Sequence, residues 1–119
     1  MRKKLILVAV VSLLLAGVAA LLLPTEGQLQ TYVNNPRSYS VDNHAYFSYF
    51  LAWKARYGSE RCLRALIEGS EALDGGYAVA HANSLKLARE HCDPATYKRL
   101  LNAATPVARH RARLSMPEF

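Results

Sequence analysis

From Leu5 to Leu23 the chain runs through 19 residues that are apolar but for Ser12, and Arg2, Lys3 and Lys4 stand directly before them. In helical form that stretch spans ~28 Å, close to the hydrocarbon thickness of a bilayer. It predicts a transmembrane anchor over residues 1–23 and leaves 96 residues for everything else. The flanking cations, with no Lys or Arg again until Arg37, predict an N-terminus inside and the chain beyond Pro24 outside. The rival reading is a secretory signal peptide, in which Val18 and Ala20 fit the −3 and −1 positions of a cleavage site. Cleavage there would leave Leu21, Leu22 and Leu23 at the new terminus, an unusually apolar start. Both readings export the remainder.

The exported part has room for one small domain with a modest core. The formal charge of +6 overstates its basicity, because three of the 15 cations flank the apolar run. Residues 24–119 carry 12 Lys and Arg against 9 Asp and Glu, too mild an excess to argue for nucleic acid. Pro24 to Ser40, with Gly27 and Asn34-Asn35-Pro36, reads as a stalk over 24–40 holding at most a helical turn around Gln28–Val33.

Beyond Ser40 the pattern becomes helical and well punctuated. Ser40 or Asp42 caps a helix running to Tyr57, with Gly58 suited to the position after it. Ser59 caps a second, with Leu63, Leu66, Ile67 and Leu73 on one side, which stops at Asp74-Gly75-Gly76. A third runs from about Tyr77 to His91. Asp93-Pro94 and Thr105-Pro106 each place a cap before a proline, starting segments that reach about Ala104 and about Leu114. No stretch alternates long enough to propose a strand. The expected fold is all-α: an N-terminal transmembrane helix followed by a disulfide-stapled bundle of four to five short helices over 41–119.

The staple is the pair Cys62 and Cys92. If the second and third helices fold back on one another at Asp74-Gly75-Gly76, both cysteines arrive at the same end of the hairpin, with Cys62 opposite Ala88 and one turn from Cys92. In an oxidising compartment such a crosslink would stabilise by ~3 kcal/mol in the chain-entropy model. A metal site built from Cys92 and His91 with His81 or Cys62 matches no recognised ligand spacing, so no metal or other cofactor is expected.

Eight of the eleven aromatic residues fall between Tyr32 and Tyr57. Tyr46, Phe50, Trp53 and Tyr57 are spaced i, i+4, i+7, i+11 and form a narrow stripe, widened by Phe47 and Leu51. Ala45, Ser48, Ala52 and Ala55 form a small-residue face opposite. The stripe reads first as the core of a small domain, since few other large apolar residues are at hand. The functional alternative exposes part of it as an anchor for a partner helix or for lipid headgroups. His81 shares a face with Leu85, Ala88 and Cys92 and reads as a core histidine. Arg109, Arg111 and Arg113, with His110 among them, make a basic end suited to carboxylate or phosphate groups on a partner. No Ser/His/Asp or Cys/His set assembles from this inventory, so catalysis is not expected.

In broad plan the chain is similar to the small helical, disulfide-carrying immunity proteins that guard Gram-negative periplasms against type VI amidase effectors. The similarity rests on size, export, helical content and two cysteines, and it carries no functional position over. Together these features predict a non-enzymatic, single-pass protein of the bacterial inner membrane, N-terminus cytoplasmic, whose periplasmic domain binds an envelope protein partner. That partner would be a toxin, a secretion-system component or a lysis factor. Tyr46, Phe50, Trp53, Tyr57, Arg109, Arg111 and Arg113 are its candidate contacts. The alternatives are a cleaved, soluble periplasmic inhibitor of the immunity type, and a small envelope hydrolase or ligand-binding protein using His44, His81 or His91.

Overall fold

Capping residues written into the sequence set most of the element boundaries in the computed structural model, which describes residues 2–73 and 75–115. Helix α1 (Arg2–Leu22) is followed by α2 (Glu26–Asn34), a 3-10 turn (Pro36–Ser38), α3 (Val41–Arg56) and α4 (Glu60–Glu68). A second 3-10 turn (Gly69–Ala72), α5 (Gly75–His91), α6 (Pro94–Ala103) and α7 (Pro106–Ser115) complete the chain. The side chains of Ser40, Ser59 and Asp93 accept hydrogen bonds from the backbone N–H groups of Asn43, Cys62 and Thr96, so α3, α4 and α6 begin at the predicted caps. Gly58 leaves α3 at φ +100°, a conformation that glycine adopts without strain. Pro94 and Pro106 occupy first helical positions, where no N–H is needed. The fold among the described residues is all-α, as expected; the predicted stop at Asp74 lies outside them.

The segment 24–40 departs from the expected stalk. Thr25 and Gln28 form a reciprocal capping box that starts α2, and α2 then packs on α4 and on the second 3-10 turn. Leu29, Tyr32 and Pro36 are buried, Tyr32 completely. Arg61 on α4 holds the entry to this segment, its Nε donating to Glu26 Oε1 and its Nη2 to the Pro24 carbonyl, both at 2.8 Å. The linker is therefore part of the domain.

The core is built around α3, which packs most extensively on α5 and then on α4. The inward face of α3 is its small one. Ser48, Ala52 and Ala55 are buried, and Ser48 Oγ lies 2.9 Å from Ser84 Oγ of α5. Small side chains at a helix contact let the axes come close, and the space around them is filled by Leu51, Leu66, Ile67, Leu85, Tyr32 and Tyr97. The aromatic stripe consequently is not the core. Helix α7 closes the far side on the second 3-10 turn, with Ala108 and Ala112 fully buried.

Two finer expectations, the disulfide and the membrane span, find no support among the described residues. Cys62 and Cys92 are free thiols, Cys62 buried and Cys92 half-buried, with Cys92 Sγ donating to the Arg89 carbonyl at 3.6 Å. The crosslink presumed α4 and α5 to be each other's main partners, whereas α5 lies chiefly on α3. Burial raises both thiol pKa values, which disfavours the reactive thiolate. Helix α1 packs extensively on no other element, and Leu5, Leu13 and Leu21 are each at least 70 % exposed. Among the described residues no helix is long and apolar enough to cross a membrane.

Candidate functional site

The stripe of rings expected inside α3 lies on its outer surface. Tyr46 is 72 % exposed, Trp53 52 % and Tyr57 71 %, while Phe50 and Phe47 are half-buried. Tyr49, which the sequence reading did not single out, is exposed beside them. The rings form a ladder: Phe47 to Phe50 at 6.2 Å between centroids, Phe50 to Trp53 at 6.5 Å, and Trp53 to Tyr57 edge-on at 5.5 Å. Its inner end is fixed, because Phe47 touches the buried Tyr32 ring at 5.5 Å and stacks on Tyr39 at 5.7 Å. At the outer end the Arg56 guanidinium lies over Tyr57, 5.8 Å from the ring centre. Contacts of this kind hold each ring in place at ~0.5–1.5 kcal/mol per pair, so the ribbon is a preformed apolar surface.

Trp53 and Tyr57 also form one wall of a cleft of about 530 Å³. The other wall is Gly17 and Leu21 of α1 with Leu23 and Pro24 just beyond its end. Lys54, Ser59 and Arg61 also line it, and among the described residues no carboxylate does.

Beneath the ribbon lies a buried histidine centre. Tyr32 Oη is 2.5 Å from His81 Nδ1, and Ser70 Oγ is 2.9 Å from His81 Nε2. Ser70 donates its own proton to the Leu66 carbonyl at 3.3 Å. Ser70 must then accept from Nε2–H, which leaves Nδ1 to accept from the Tyr32 hydroxyl. His81 is thus a neutral ring with both nitrogens satisfied. Burial, reinforced by the neighbouring His44, lowers its pKa to about 3, and burial raises that of Tyr32. A β-carbon at Gly69 would stand 2.9 Å from Tyr32 Cε1, so glycine is what allows the turn to approach this pair. His44 is stacked on Tyr32 at 4.8 Å and met edge-on by Tyr77 at 5.2 Å. Neither of its ring nitrogens has a hydrogen-bond partner, and burial lowers its pKa as well. Ser70 and His81 are buried, and both line a cavity of about 440 Å³ beside Arg111 and His110 of α7. Tyr32, the donor at one end of this Tyr–His–Ser hydrogen-bond chain, is hidden in the sequence by its place in the presumed stalk, although its spacing from Leu29 on a helical turn is visible.

The predicted basic end is divided in use. Arg111 donates to the Leu73 carbonyl at 2.8 Å, securing α7 to the end of the second 3-10 turn. Arg109 is half-buried and Arg113 exposed. These residues belong to α7, which rests on the second 3-10 turn, α4 and α5, while the ribbon lies on the outside of α3; the structure does not gather them into one cluster with the rings. Among the described residues no group of three or more His, Cys, Asp or Glu is placed to hold a metal ion. No family model, curated protein or solved structure matches the chain.

Proposed function

We propose that this protein is a membrane-anchored binding module, held by α1 in the bacterial inner membrane with its helical domain in the periplasm, and that the outer face of α3 docks an envelope protein. The observation that carries this reading is the ribbon itself. Every exposed aromatic side chain among the described residues, Tyr46, Tyr49, Trp53 and Tyr57, comes from α3 or the residue that ends it. Ring contacts hold Trp53 and Tyr57, and Tyr46 and Tyr49 share their helix face; a protein interface uses such an exposed aromatic face as its energetic centre, and Tyr and Trp dominate such centres.

Anchoring is supported by the sequence of α1 and its surroundings rather than by the cysteines. The apolar stretch continues to Leu23, and its leucines from Leu5 to Leu22 are exposed, with α1 packed extensively on no other element. Such a helix needs a covering that the domain does not supply, and lipid supplies it. The hydrolase alternative finds less support: His44 and His81 lie in the interior, one enclosed by rings and the other saturated with hydrogen bonds.

A photocrosslinker placed in turn at Tyr46, Tyr49 and Lys86, an exposed position on α5, tests the docking surface in the native envelope. The expected result is one product of the same mass from Tyr46 and Tyr49 and none from Lys86. Absence of any product at the two tyrosines, or equal capture at Lys86, would sink the reading.

A further inference from the structure

Helix α7 packs on the second 3-10 turn and meets α5 less extensively, and between the two helices lies the cavity of about 440 Å³. Ala78 and His81 line it from α5, and His110, Arg111 and Leu114 from α7. Ser70 of the 3-10 turn and Leu73 at its end complete the lining, and with His81 they are its buried members. No residue of α3 takes part, so the docking of a protein on α3 does not account for this cavity. Its volume falls in the range of ~300–1,000 Å³ usual for small-molecule sites.

The polar groups of the lining are matched to an acceptor. His81 offers no spare nitrogen, because Tyr32 Oη donates to Nδ1 and Nε2–H donates to Ser70 Oγ at 2.9 Å. The hydrogen-bond chain therefore runs from Tyr32 through His81 to Ser70, and the Ser70 proton points away from His81. Its acceptor, the Leu66 carbonyl, lies at 3.3 Å, beyond the usual length of an O–H···O bond, so an oxygen placed in the cavity competes well for that proton. His110 is exposed, makes no hydrogen bond within the described residues, and carries at least one N–H in either protonation state. Arg111 is committed to the Leu73 carbonyl and is not counted as a spare donor; what it brings is a fixed positive charge. Helix α7 holds three arginines and no carboxylate, Glu71 of the 3-10 turn accepts from Thr105 Oγ1, and among the described residues no carboxylate lines the cavity.

We propose that this cavity binds a small organic carboxylate with an apolar body. The carboxylate oxygens accept from the Ser70 hydroxyl and the His110 N–H in the field of Arg111, and the hydrocarbon part lies against Leu73, Ala78 and Leu114. Tyr32 and His81 are positioning residues for this site: they fix which way the Ser70 hydroxyl donates and do not touch the ligand's charge themselves. The site depends neither on the anchor nor on the aromatic ribbon.

The chain reports on the cavity through its histidines, since His81 and His110 line it and His91 is the last residue of α5. The full-length protein, isotope-labelled at its histidines and held in a nonionic detergent, is titrated with acetate, butyrate and benzoate, and with benzyl alcohol as a neutral counterpart. The expected result is a saturable shift of the His81 and His110 imidazole signals with millimolar benzoate and none at His91. Benzyl alcohol should bind ~10-fold or more weakly, as the loss of a charge-assisted hydrogen bond requires. Ala78→Leu fills the cavity and should abolish the response. His110→Ala, at an exposed position that leaves the fold alone, should weaken benzoate binding severalfold as read at His81. No response to any of the three carboxylates overturns the proposal, as do shifts that never saturate or that appear equally at His91. Equal binding of benzoate and benzyl alcohol overturns it too, and so does benzoate binding unchanged by His110→Ala.

Discussion

The two faces of α3 invert the usual relation between side-chain size and burial. Its inner face is made of Ser48, Ala52 and Ala55 with Leu51, all buried, and its outer face carries Tyr46, Tyr49, Trp53 and Tyr57. The inner face is small because α5 lies against it, closely enough for Ser48 and Ser84 to share a hydrogen bond. A large ring at Ala52 would force the two helices apart. The bulk that a small core needs comes instead from elements around the pair: Tyr32 from α2, Tyr97 from α6, Leu66 and Ile67 from α4. Ring size, then, does not identify the core; the distance to the neighbouring helix does.

The largest consequence falls on Tyr32. Its ring is fully buried, stacks on His44 and bonds His81, so Tyr32→Ala removes packing from three helices and strips His81 of its donor. A loss of ~3–5 kcal/mol is expected, read from the urea midpoint. A loss below ~1 kcal/mol would mean that the segment is a stalk after all and that the core lies elsewhere.

The histidine centre sets the next effect. His81 has a folded-state pKa of about 3, well below the ~6.5 of an unfolded histidine, and His44 is displaced in the same direction. The unfolded chain therefore takes up protons first as pH falls. This contribution is fully present above ~6.5 and is lost toward about 3. By pH 5 the slope from His81 approaches ~1.4 kcal/mol per pH unit, and His44 adds to it in the same direction. Urea midpoints measured between pH 7 and pH 5 should fall accordingly in the wild type and in Tyr46→Ala alike. A flat profile would show that the interior behind the small face of α3 is hydrated.

These features differ in how far they could be read from sequence. Ser40, Ser59, Asp93-Pro94 and Thr105-Pro106 mark helix starts because capping is a local event, settled within one turn. Which side of α3 faces inward is not local, since the stripe Tyr46, Phe50, Trp53, Tyr57 has helical spacing whether it meets a helix or water. Tyr32 was obscured for another reason: Pro24, Gly27 and Asn34-Asn35-Pro36 surround it with turn signals, although α2 fits between them. The cysteine pairing failed on topology, because it presumed a hairpin of α4 and α5. Cys92→Ser makes that error measurable. As a half-buried free thiol, Cys92 should cost less than ~1 kcal/mol when replaced, where a staple would cost ~2–5 kcal/mol. Alkylation of the unfolded chain without reductant should modify both cysteines.

The smallest expected effect on stability is the one that most sharpens the contrast between the faces. Tyr46 stands at the end of the ribbon away from α1, 72 % exposed, and its removal leaves no cavity. Tyr46→Ala should change the urea midpoint by less than ~0.5 kcal/mol while abolishing crosslinking from a probe at Tyr49. That dissociation is what separates an interface from a core, because a core ring stabilises the chain that carries it and an interface ring stabilises only the complex. A stability loss of ~2 kcal/mol or more would return the stripe to the interior, as its spacing first suggested. A stable variant that still captures its partner would keep the ribbon on the surface and move the docking site off Tyr46, toward the Trp53 end of α3.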